Sequence, residues 1–371
     1  MINKITFFNK SDVIGGAEHF LIDVIAILKE RGIRSEIKCN EGPLADYLSE
    51  LQIDHEIIEM PRINTLKNAF NFIWSAVKYS RKINSQNTII SNNYRSHIFL
   101  SICRIFKKFN FICIYHDFSY NKYIQHAIGF FAFKIFVVSK FLAEYYNLKK
   151  YSIVPNFVNP ANIAYCSPQK DAGRFTVTLI ARIVKLKGIE YFINAYNHLS
   201  PELKAKTYFW IVGDKHEEEA EYYEVLKSNC IQGGTEKNII FKGYRRDIDK
   251  VLSESDVVVS SSISEFGGPE SFGRTVIEAM LRGKPVVSTN VGGPRDIIKN
   301  GFNGMLVEQK NSEAIAAAVE KLLKDRAFYE KIARNGFNTV INRYDGKFVV
   351  RKLLEDINIS FAESENQYIL R

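Results

Sequence analysis

The sequence has no cysteine pair, no Gly-x-Gly motif and no long apolar run. Its five cysteines are scattered along 371 residues and never form a CxxC pair, which argues against a disulfide scaffold or a cysteine zinc site and favours a reducing compartment. The most apolar window, 122–140, is interrupted by Gln125, His126 and Lys134, so it does not predict a membrane-spanning helix. The first ten residues lack the apolar core of a secretory signal, and we therefore expect a cytoplasmic protein.

Acidic residues are scarce in one part of the chain. Residues 61–150 contain fourteen Lys or Arg against two acids, which leaves +12, whereas the whole chain carries +9. A local excess of this kind indicates an anionic partner, which could be lipid, nucleic acid or a phosphorylated substrate. Because no nucleic-acid-binding module accompanies it, we expect no nucleic-acid partner and a peripheral contact with the anionic inner face of a membrane.

Two segments of this basic stretch, "WSAVKYSRK" and "CRIFKKF", mix apolar and basic residues, as interfacial helices do. The alternative is that their apolar residues face a sheet and their charges only solvate helices. The sequence leaves both interpretations open.

Short apolar runs alternate with longer periodic segments along the whole chain, which is the pattern of βαβ units in parallel sheets. The strands predicted in the first half are "KITFF", "SEIKC", "NTIIS", "FICIYH" and "IFVVS". A second series contains "RFTVTLIAR", "YFWIVGD", "NIIFKG", "DVVVSS" and "KPVVST". The fold class is therefore α/β, with two doubly wound parallel-sheet domains.

The join between the domains is predicted in 156–172, which collects proline, asparagine and glycine without periodicity. We expect an N-terminal domain over 1–165 and a C-terminal domain over 166–345, with a C-terminal helix at 346–371 that packs back on the first. Two such domains predict a cleft, and ligands of open α/β sheets bind beyond the carboxyl ends of strands.

One such loop is "EFGGPESFGRTVIEAM", residues 265–280, which precedes a helix predicted over 271–283. The first N–H groups of that helix, from Phe272 to Thr275, favour a phosphate, and Gly273 permits close approach to the backbone. Glu270 and Glu278 can accept hydrogen bonds from sugar or ribose hydroxyls. The alternative is that Glu270 favours the helix dipole and Glu278 pairs with Arg274.

Two further loops follow predicted strands. Arg182 and Lys187 come after "RFTVTLI", where cations could clamp a diphosphate; solvated surface charge is the alternative. Gly15 and Gly16 follow "KITFF" and permit backbone contact with phosphate or sugar, or they form a simple turn. His116 ends "FICIYH" and could donate to a sugar hydroxyl or a departing charge, although a lone histidine in this position is more often structural.

Taken together, these motifs resemble family 4 of the retaining glycosyltransferases. The likeness follows the chain in order through "GGAE", "HD", "VPNFV", "ARIVKLKG", "IVGD", "DVVVSSS", "PESFGRTVIEAM" and "GKPVVSTNVGG". It implies the GT-B fold, in which an N-terminal domain binds the acceptor and a C-terminal domain binds a nucleotide-sugar donor. It also implies transfer with retention and without a metal or cofactor.

The resemblance implies a role for each candidate residue. Arg182 and Lys187 would bind the donor diphosphate, Glu278 the ribose, and Glu270 the donor sugar. The remaining candidates would contact phosphates or sugar hydroxyls near the transferred sugar: Gly15, Gly16, His116, Ser271, Phe272 and Gly273. The expected acceptor is a lipid-linked glycan of bacterial surface polysaccharide.

Several other functions compete with this one. A nicotinamide dehydrogenase requires Gly-x-Gly-x-x-Gly, which is lacking. A metal-dependent GT-A transferase would use Asp-x-Asp, but Asp247 and Asp249 are predicted at the polar start of a short helix. An epimerase or hydrolase of nucleotide sugars would share the donor site, and a basic nucleic-acid-binding protein is a further alternative.

Overall fold

The computed structural model describes residues 4–11, 14–118, 121–160, 165, 173–215, 219–265 and 268–369. The predicted join over 156–172 lies largely outside the described residues. The chain divides into two compact units, the first comprising 1–156 with 346–371 and the second 157–345.

Unit 1 is a seven-stranded parallel sheet with helices on it. Its strands are β1 (Lys4–Asn9), β2 (Arg34–Cys39), β3 (His55–Ile57), β4 (Thr88–Ser91), β5 (Phe111–Tyr115), β6 (Lys134–Val137) and β7 (Ser152–Ile153). Its helices are α1 (Gly16–Glu30), α2 (Pro43–Glu50), α3 (Leu66–Ser80), α4 (Tyr94–Phe106), α5 (Lys122–Phe131), α6 (Lys140–Tyr145) and α15 (Gly346–Ile369). The strand order is β3-β2-β1-β4-β5-β6-β7, so the direction of winding reverses between β1 and β4. Ligand sites of open α/β sheets occur at such a reversal.

The C-terminal helix α15 belongs to unit 1. It contacts α1, and Arg31 donates to the carbonyl oxygen of Lys347 at 2.7 Å. Gly32 lies two residues after the end of α1 and has a left-handed conformation, with φ of 70°, as glycines just beyond a helix often do.

Unit 2 repeats the plan with a six-stranded parallel sheet. Its strands are β8 (Phe175–Ile180), β9 (Thr207–Val212), β10 (Ile239–Gly243), β11 (Val257–Ser260), β12 (Val286–Thr289) and β13 (Met305–Val307). Its helices are α7 (Ile189–His198), α8 (Pro201–Lys206), α9 (Ala220–Gln232), α10 (Ile248–Glu254), α11 (Arg274–Leu281), α12 (Pro294–Ile297), α13 (Ser312–Lys324) and α14 (Arg326–Arg343), with a 3-10 turn at Lys185–Lys187. The order β10-β9-β8-β11-β12-β13 reverses between β8 and β11.

The core of unit 2 lies between this sheet and its helices. Phe192 of α7 stacks on Phe209 of β9 with ring centroids 4.7 Å apart. The buried apolar residues of β8, β11 and α13 join the same cluster. This packing leaves the loops at the carboxyl ends of β8 and β11 on a rigid base.

The two doubly wound, Rossmann-like sheets confirm the predicted fold class. All ten strands predicted from the sequence are present, with ends within a few residues of those expected. The sequence did not predict three further strands, β3, β7 and β13, which lie at sheet edges and span only two or three residues. Such short edges carry too little periodicity to be recognised. Within the described part of the chain, no helix is long and apolar enough to cross a membrane.

Candidate active site

Two loops of unit 2 meet where β8 and β11 run side by side. Ser261 Oγ donates to the carbonyl oxygen of Lys187 at 2.9 Å, and the N–H of Ile263 donates to the carbonyl oxygen of Leu186 at 2.9 Å. Gly188 has a left-handed φ of 57°, and a side chain there would collide with the backbone of Ser261. These contacts hold the turn after β8 against the loop after β11.

Lys187 and Glu270 form an ion pair between these loops. The Nζ atom of Lys187 hydrogen-bonds a carboxylate oxygen of Glu270, and the two side chains are only 18% and 20% exposed. Two opposite charges so far from bulk water depend on each other, because removing one would leave the other buried and uncompensated.

The carboxyl group of Glu270 is held in its charged form. Burial alone would raise its pKa, but the Lys187 ammonium, the N–H of Gly273 and the Arg182 guanidinium outweigh burial and lower the pKa below its ordinary value. The structure therefore brings Arg182, Lys187 and Glu270 together at one position. Two cations around one carboxylate leave a net positive charge, which can bind an anionic group while Glu270 accepts hydrogen bonds from neutral hydroxyls.

Backbone packing holds Glu270 in place. The N–H of Gly293 donates to the Glu270 carbonyl oxygen at 2.7 Å. Gly292 has φ of 68°, and a side chain on it would overlap the backbone of Glu270, while one on Gly293 would overlap the backbone of Phe272. Both glycines therefore support the site. Sequence reasoning did not assign them this role, although the glycine doublet that ends "KPVVSTNVGG" is its signal.

A small cavity of about 10 Å³, room for about one water molecule, lies beside the ion pair. It is lined by residues of β8 and β11, of the loops that follow them and of the first turn of α11: Leu179, Ile180, Ala181, Lys187, Val259, Ser260, Ser261, Ser262, Glu270 and Thr275.

Helix α11 begins later than predicted. Gly273 has φ of 98° and a left-handed conformation, so the right-handed helix starts at Arg274. Ser271 and Phe272 lie in the preceding loop, and the prediction that the Phe272 N–H belongs to the helix start is wrong. The Phe272 side chain is buried against Tyr344, with ring centroids 5.7 Å apart, so only its backbone is available for the ligand contact that the resemblance implies.

Glu278 lies one turn into α11 and forms an ion pair with Arg274. The Arg274 Nε donates to the Glu278 carboxylate at 2.8 Å, and both side chains are partly buried. This is the i, i+4 pair that the sequence offered as an alternative to ribose binding. The ion pair does not test the ribose role, which stays a prediction.

The remaining candidates, Gly15, Gly16 and His116, lie in unit 1. Gly15 is the N-cap of α1, and its N–H donates to Glu18 Oε2 at 3.0 Å. A side chain on Gly16 would meet nothing within 4 Å, so the fold itself does not require glycine there.

His116 follows β5 and is buried. Its Nε2 lies 2.9 Å from Asn92 Oδ1, and its ring packs edge-on against Phe20 with centroids 5.1 Å apart. Burial lowers the pKa of His116 to about 3, because desolvation disfavours the imidazolium. His116 is therefore uncharged at neutral pH. Sequence reasoning did not single out Asn92, which sits in a polar run with no distinctive motif.

The Asp-x-Asp pair has partners of the kind expected for a surface helix. Asp247 precedes α10 and accepts two hydrogen bonds from Arg245, at 2.8 and 2.6 Å, while Asp249 pairs with Arg282. The prediction that these acids mark the polar start of a short helix is confirmed. Among the described residues, no three His, Cys, Asp or Glu side chains cluster as metal ligands. Metal independence stays a prediction.

The fold defines the class of protein. HepE of Anabaena, in its crystal structure with UDP and glucose, matches this chain with a TM-score of 0.82 at 22% identity, covering 96% of this chain and 99% of HepE. The two Rossmann-like units therefore have the GT-B fold.

The sequence comparisons are more specific. Residues 166–339, which are 174 of 371, match the family model Glycosyl transferases group 1. LpsE of Rhizobium meliloti, a lipopolysaccharide core biosynthesis glycosyltransferase, is 25% identical over 206 residues, or 55% of this chain and 56% of LpsE. The UDP-Gal:alpha-D-GlcNAc-diphosphoundecaprenol alpha-1,3-galactosyltransferase of Escherichia coli is 26% identical over 212 residues, or 54% of this chain and 52% of the relative. The chain thus spans about half the length of the curated relatives it matches, and these matches support a glycosyltransferase.

Proposed function

We propose that this protein is a retaining glycosyltransferase that moves a sugar from a nucleotide-diphosphate sugar to an acceptor. The observation that carries this proposal is the pairing of Lys187 with Glu270 beside Arg182, at the reversal point of a Rossmann-like sheet. A bound diphosphate would pair with Arg182 and Lys187 in place of Glu270. The Glu270 carboxylate could then accept hydrogen bonds from sugar hydroxyls. UDP in the structures of HepE, and the UDP-Gal in the name of the Escherichia coli relative, support a nucleotide sugar as donor.

In the proposed reaction, the acceptor oxygen bonds to the anomeric carbon as the bond from that carbon to the diphosphate breaks. The acceptor proton passes to the departing phosphate, so no protein base is needed. We also expect no metal or cofactor. Arg182 and Lys187 would stabilise the charge that develops on the diphosphate. Glu278 would hold the ribose, and the backbone of Ser271, Phe272 and Gly273 would contact sugar hydroxyls.

Unit 1 would bind the acceptor, which we propose is a lipid-linked glycan in the synthesis of lipopolysaccharide, capsule or exopolysaccharide. The names of LpsE and of the Escherichia coli galactosyltransferase support this pathway class. Gly15, Gly16 and His116 follow the carboxyl ends of β1 and β5, where such an acceptor and the transferred sugar would meet unit 1.

A surface of α3 supports docking of unit 1 on the cytoplasmic face of an anionic membrane. We define the apolar stripe as Leu66, Phe70, Ile73 and Trp74, which recur at helical spacing and are 93%, 67%, 47% and 63% exposed. The neighbouring face of α3 is buried at Phe72, Ala76 and Ser80. The stripe is therefore left over after the helix has packed on the protein, which is the arrangement that interfacial helices use.

Basic residues accompany the stripe. Lys67 and Lys78 of α3 are exposed, and α4, which packs against α3, ends in the exposed Ile105 and Phe106, followed by the exposed Lys108. The sequence alternative, that the apolar residues face the sheet, does not hold for Trp74, Ile105 or Phe106. Apolar side chains flanked by cations fit a leaflet that contains anionic lipid.

A nucleotide screen tests the donor site. UDP, GDP and ADP are added in turn, and the preferred nucleotide raises the unfolding midpoint because it binds only the folded protein. The corresponding sugar nucleotides are then incubated with a lipid-linked glycan, with and without a chelator. A new linkage of the same anomeric configuration as the donor is expected in both cases. A free sugar or an epimerised nucleotide sugar as product, or a strict requirement for a divalent ion, would contradict the proposal.

A further inference from the structure

A chain of buried hydrogen bonds runs from His116 to the start of α1. His116 Nε2 meets Asn92 Oδ1 at 2.9 Å, Asn92 Nδ2 donates to Asn9 Oδ1 at 3.0 Å, and Asn9 Nδ2 donates to Glu18 Oε1 at 3.2 Å. Glu18 Oε2 in turn accepts the N–H of Gly15 at 3.0 Å. All four side chains are more than nine-tenths buried. The chain connects the carboxyl ends of β1, β4 and β5.

The contacts fix the orientation of the Asn92 amide. Its Nδ2 donates both to Asn9 Oδ1 and to the carbonyl oxygen of Ala17, each at 3.0 Å. Rotating the amide by half a turn would place an oxygen against two other oxygens. Asn92 Oδ1 therefore faces His116, and because an amide oxygen can only accept, His116 Nε2 must carry the proton.

The Asn9 amide is fixed in the same way. Its Oδ1 also accepts from Asn93 Nδ2 at 3.3 Å, and its Nδ2 faces the Glu18 carboxylate. In each of the three hydrogen bonds between His116 and Glu18, the residue nearer His116 is therefore the donor and the residue nearer Glu18 is the acceptor. Hydrogen bonds aligned head to tail polarise one another, which strengthens the hold on the imidazole.

The other ring nitrogen follows from this assignment. With the proton on Nε2 and the ring uncharged, Nδ1 of His116 is a lone-pair acceptor, and no donor reaches it among the described residues. A buried acceptor without a donor is unfavourable, and a ligand that supplies one recovers the lost hydrogen bond. A sugar hydroxyl has a hydrogen to donate, whereas an ionised phosphate oxygen has none and would repel the lone pair.

We propose that Asn92 is a positioning residue that holds His116 as its Nε2–H tautomer, so that Nδ1 accepts a hydrogen bond from a hydroxyl of the bound sugar. The inference rests on the proposed function for the identity of the ligand, but the tautomer does not. It revises the expectation that His116 donates to the ligand or to a departing charge.

The tautomer is measured on the protein without ligand. Long-range nitrogen–proton NMR spectra of histidine-labelled protein distinguish a protonated from an unprotonated ring nitrogen, and His116→Gln assigns the signal. Near neutral pH we expect Nε2 protonated and Nδ1 unprotonated. Asn92→Ala should give a mixture of tautomers. Asn93→Ala removes the cap of α4 and one contact to Asn9, but the Ala17 carbonyl still orients the Asn92 amide, so this variant should keep a single tautomer.

A protonated Nδ1 in the wild-type spectrum would overturn the inference without touching the proposed function. This measurement decides the matter even where Asn92→Ala does not fold. The signal of His126, which is exposed on α5, should be the same in all variants and serves as an internal reference.

The hydroxyl is tested with donor analogues that carry fluorine in place of single hydroxyls, because fluorine cannot donate. One analogue should bind wild type about threefold to tenfold more weakly than the parent sugar nucleotide. The same analogue should show no such deficit in His116→Ala, while UDP binds wild type, Asn92→Ala and His116→Ala equally. If every analogue loses the same factor in wild type and in His116→Ala, no hydroxyl meets Nδ1. Absence of any binding of UDP or a sugar nucleotide would instead contradict the proposed function.

Discussion

Arg182 and Lys187 both act electrostatically on the Glu270 carboxylate, yet the two cations differ in exposure. Arg182 is exposed, whereas Lys187 is the ion-pair partner of a buried carboxylate. Arg182→Ala should weaken UDP binding about tenfold through loss of a charge-assisted contact, without a change in stability. Lys187→Ala should weaken binding similarly and also lower the free energy of unfolding by about 1 to 3 kcal/mol, because Glu270 loses its partner.

Calorimetry measures the affinity, and urea unfolding measures the stability. Arg174→Ala is the matched control, since Arg174 precedes the opposite end of the same strand β8 and should affect neither UDP binding nor Glu270. Unchanged UDP affinity in both Arg182→Ala and Lys187→Ala would refute the donor clamp.

Glu278 offers a second test at a single residue. If Glu278 binds ribose, Glu278→Gln should weaken UDP binding, while Arg274→Gln, which breaks the same ion pair from the other side, should leave UDP affinity nearly unchanged. If the glutamate serves only the ion pair, the two variants should bind UDP equally well. Isothermal titration of both variants under one set of conditions decides between these outcomes.

Two buried histidines predict acid sensitivity of unit 1. Burial lowers the pKa of His116 to about 3, and burial together with neighbouring His116 lowers the pKa of His97 to about 3. A histidine in the unfolded chain has a pKa of about 6.5. Between these values the unfolded chain binds protons that the folded chain does not. The contribution of these histidines to the free energy of unfolding is therefore fully present above about pH 6.5. It falls as the pH drops below that value, by about 1 kcal/mol per pH unit for each histidine.

Urea unfolding at about pH 7 and about pH 5 measures this slope, because carboxylates such as Glu270 contribute mainly below that range. His97→Gln and His116→Gln should each flatten the pH dependence. His126→Gln is the control, since His126 is exposed on α5. An equal slope in all three variants would show that neither buried histidine is responsible.

At the scale of single residues, the sequence located most of the site's charged groups. Arg182, Lys187 and Glu270 were all found because they follow predicted strands, and parallel strands bring their carboxyl ends to one edge. The role of Asn92 could not be found in this way. It depends on which atoms of Asn9, Ala17 and His116 face it, and those atoms lie far apart in the sequence.

At the scale of elements, α3 shows how a helix divides its surface. Its polar N-cap, Thr65, accepts the N–H of Asn68, and the face with Phe72 and Ala76 packs on the protein. The apolar stripe and the exposed lysines remain on the other face. The packing of α3 on unit 1 thus does not use the apolar stripe, and the stripe is available to a bilayer.

We expect this surface to bind vesicles rich in anionic lipid at low salt, and to bind less as salt rises, because charges are screened beyond about 8 Å at physiological ionic strength. Phe70→Ser combined with Trp74→Ser should reduce sedimentation with these vesicles several-fold. Val225→Ser combined with Ile231→Ser is the matched control, because these residues are comparably exposed on α9 of unit 2.

The charges of the surface are tested separately. Lys67→Gln combined with Lys108→Gln should weaken vesicle binding by about 1 kcal/mol per lysine. Lys237→Gln combined with Lys331→Gln changes the net charge equally in unit 2 and should have little effect. Docking through this surface would be refuted if wild type bound anionic and neutral vesicles alike at low salt.

At the scale of the whole molecule, each unit has one residue whose proposed role concerns the sugar and can be tested by itself. Glu270 belongs to unit 2 and His116 to unit 1, and neither is assigned to the nucleotide. Glu270→Gln and His116→Ala should each lower kcat for sugar transfer by about tenfold or more, while the affinity for UDP stays within about twofold of wild type. Steady-state kinetics and calorimetry check the two halves of this prediction. A wild-type kcat in both variants would show that neither residue contributes to sugar transfer.

The sequence alone determined the two α/β units, their central strands and the glycine-rich and charged loops of the candidate site, because each of these is a local pattern of periodicity, glycine or charge. Only the tertiary structure decided the short edge strands, the start of α11 behind a left-handed Gly273, and the exposure of the apolar stripe. It also decided the polar chain from His116 to Glu18. These features depend on contacts between residues distant in sequence, and such contacts exist only once the sheets have formed.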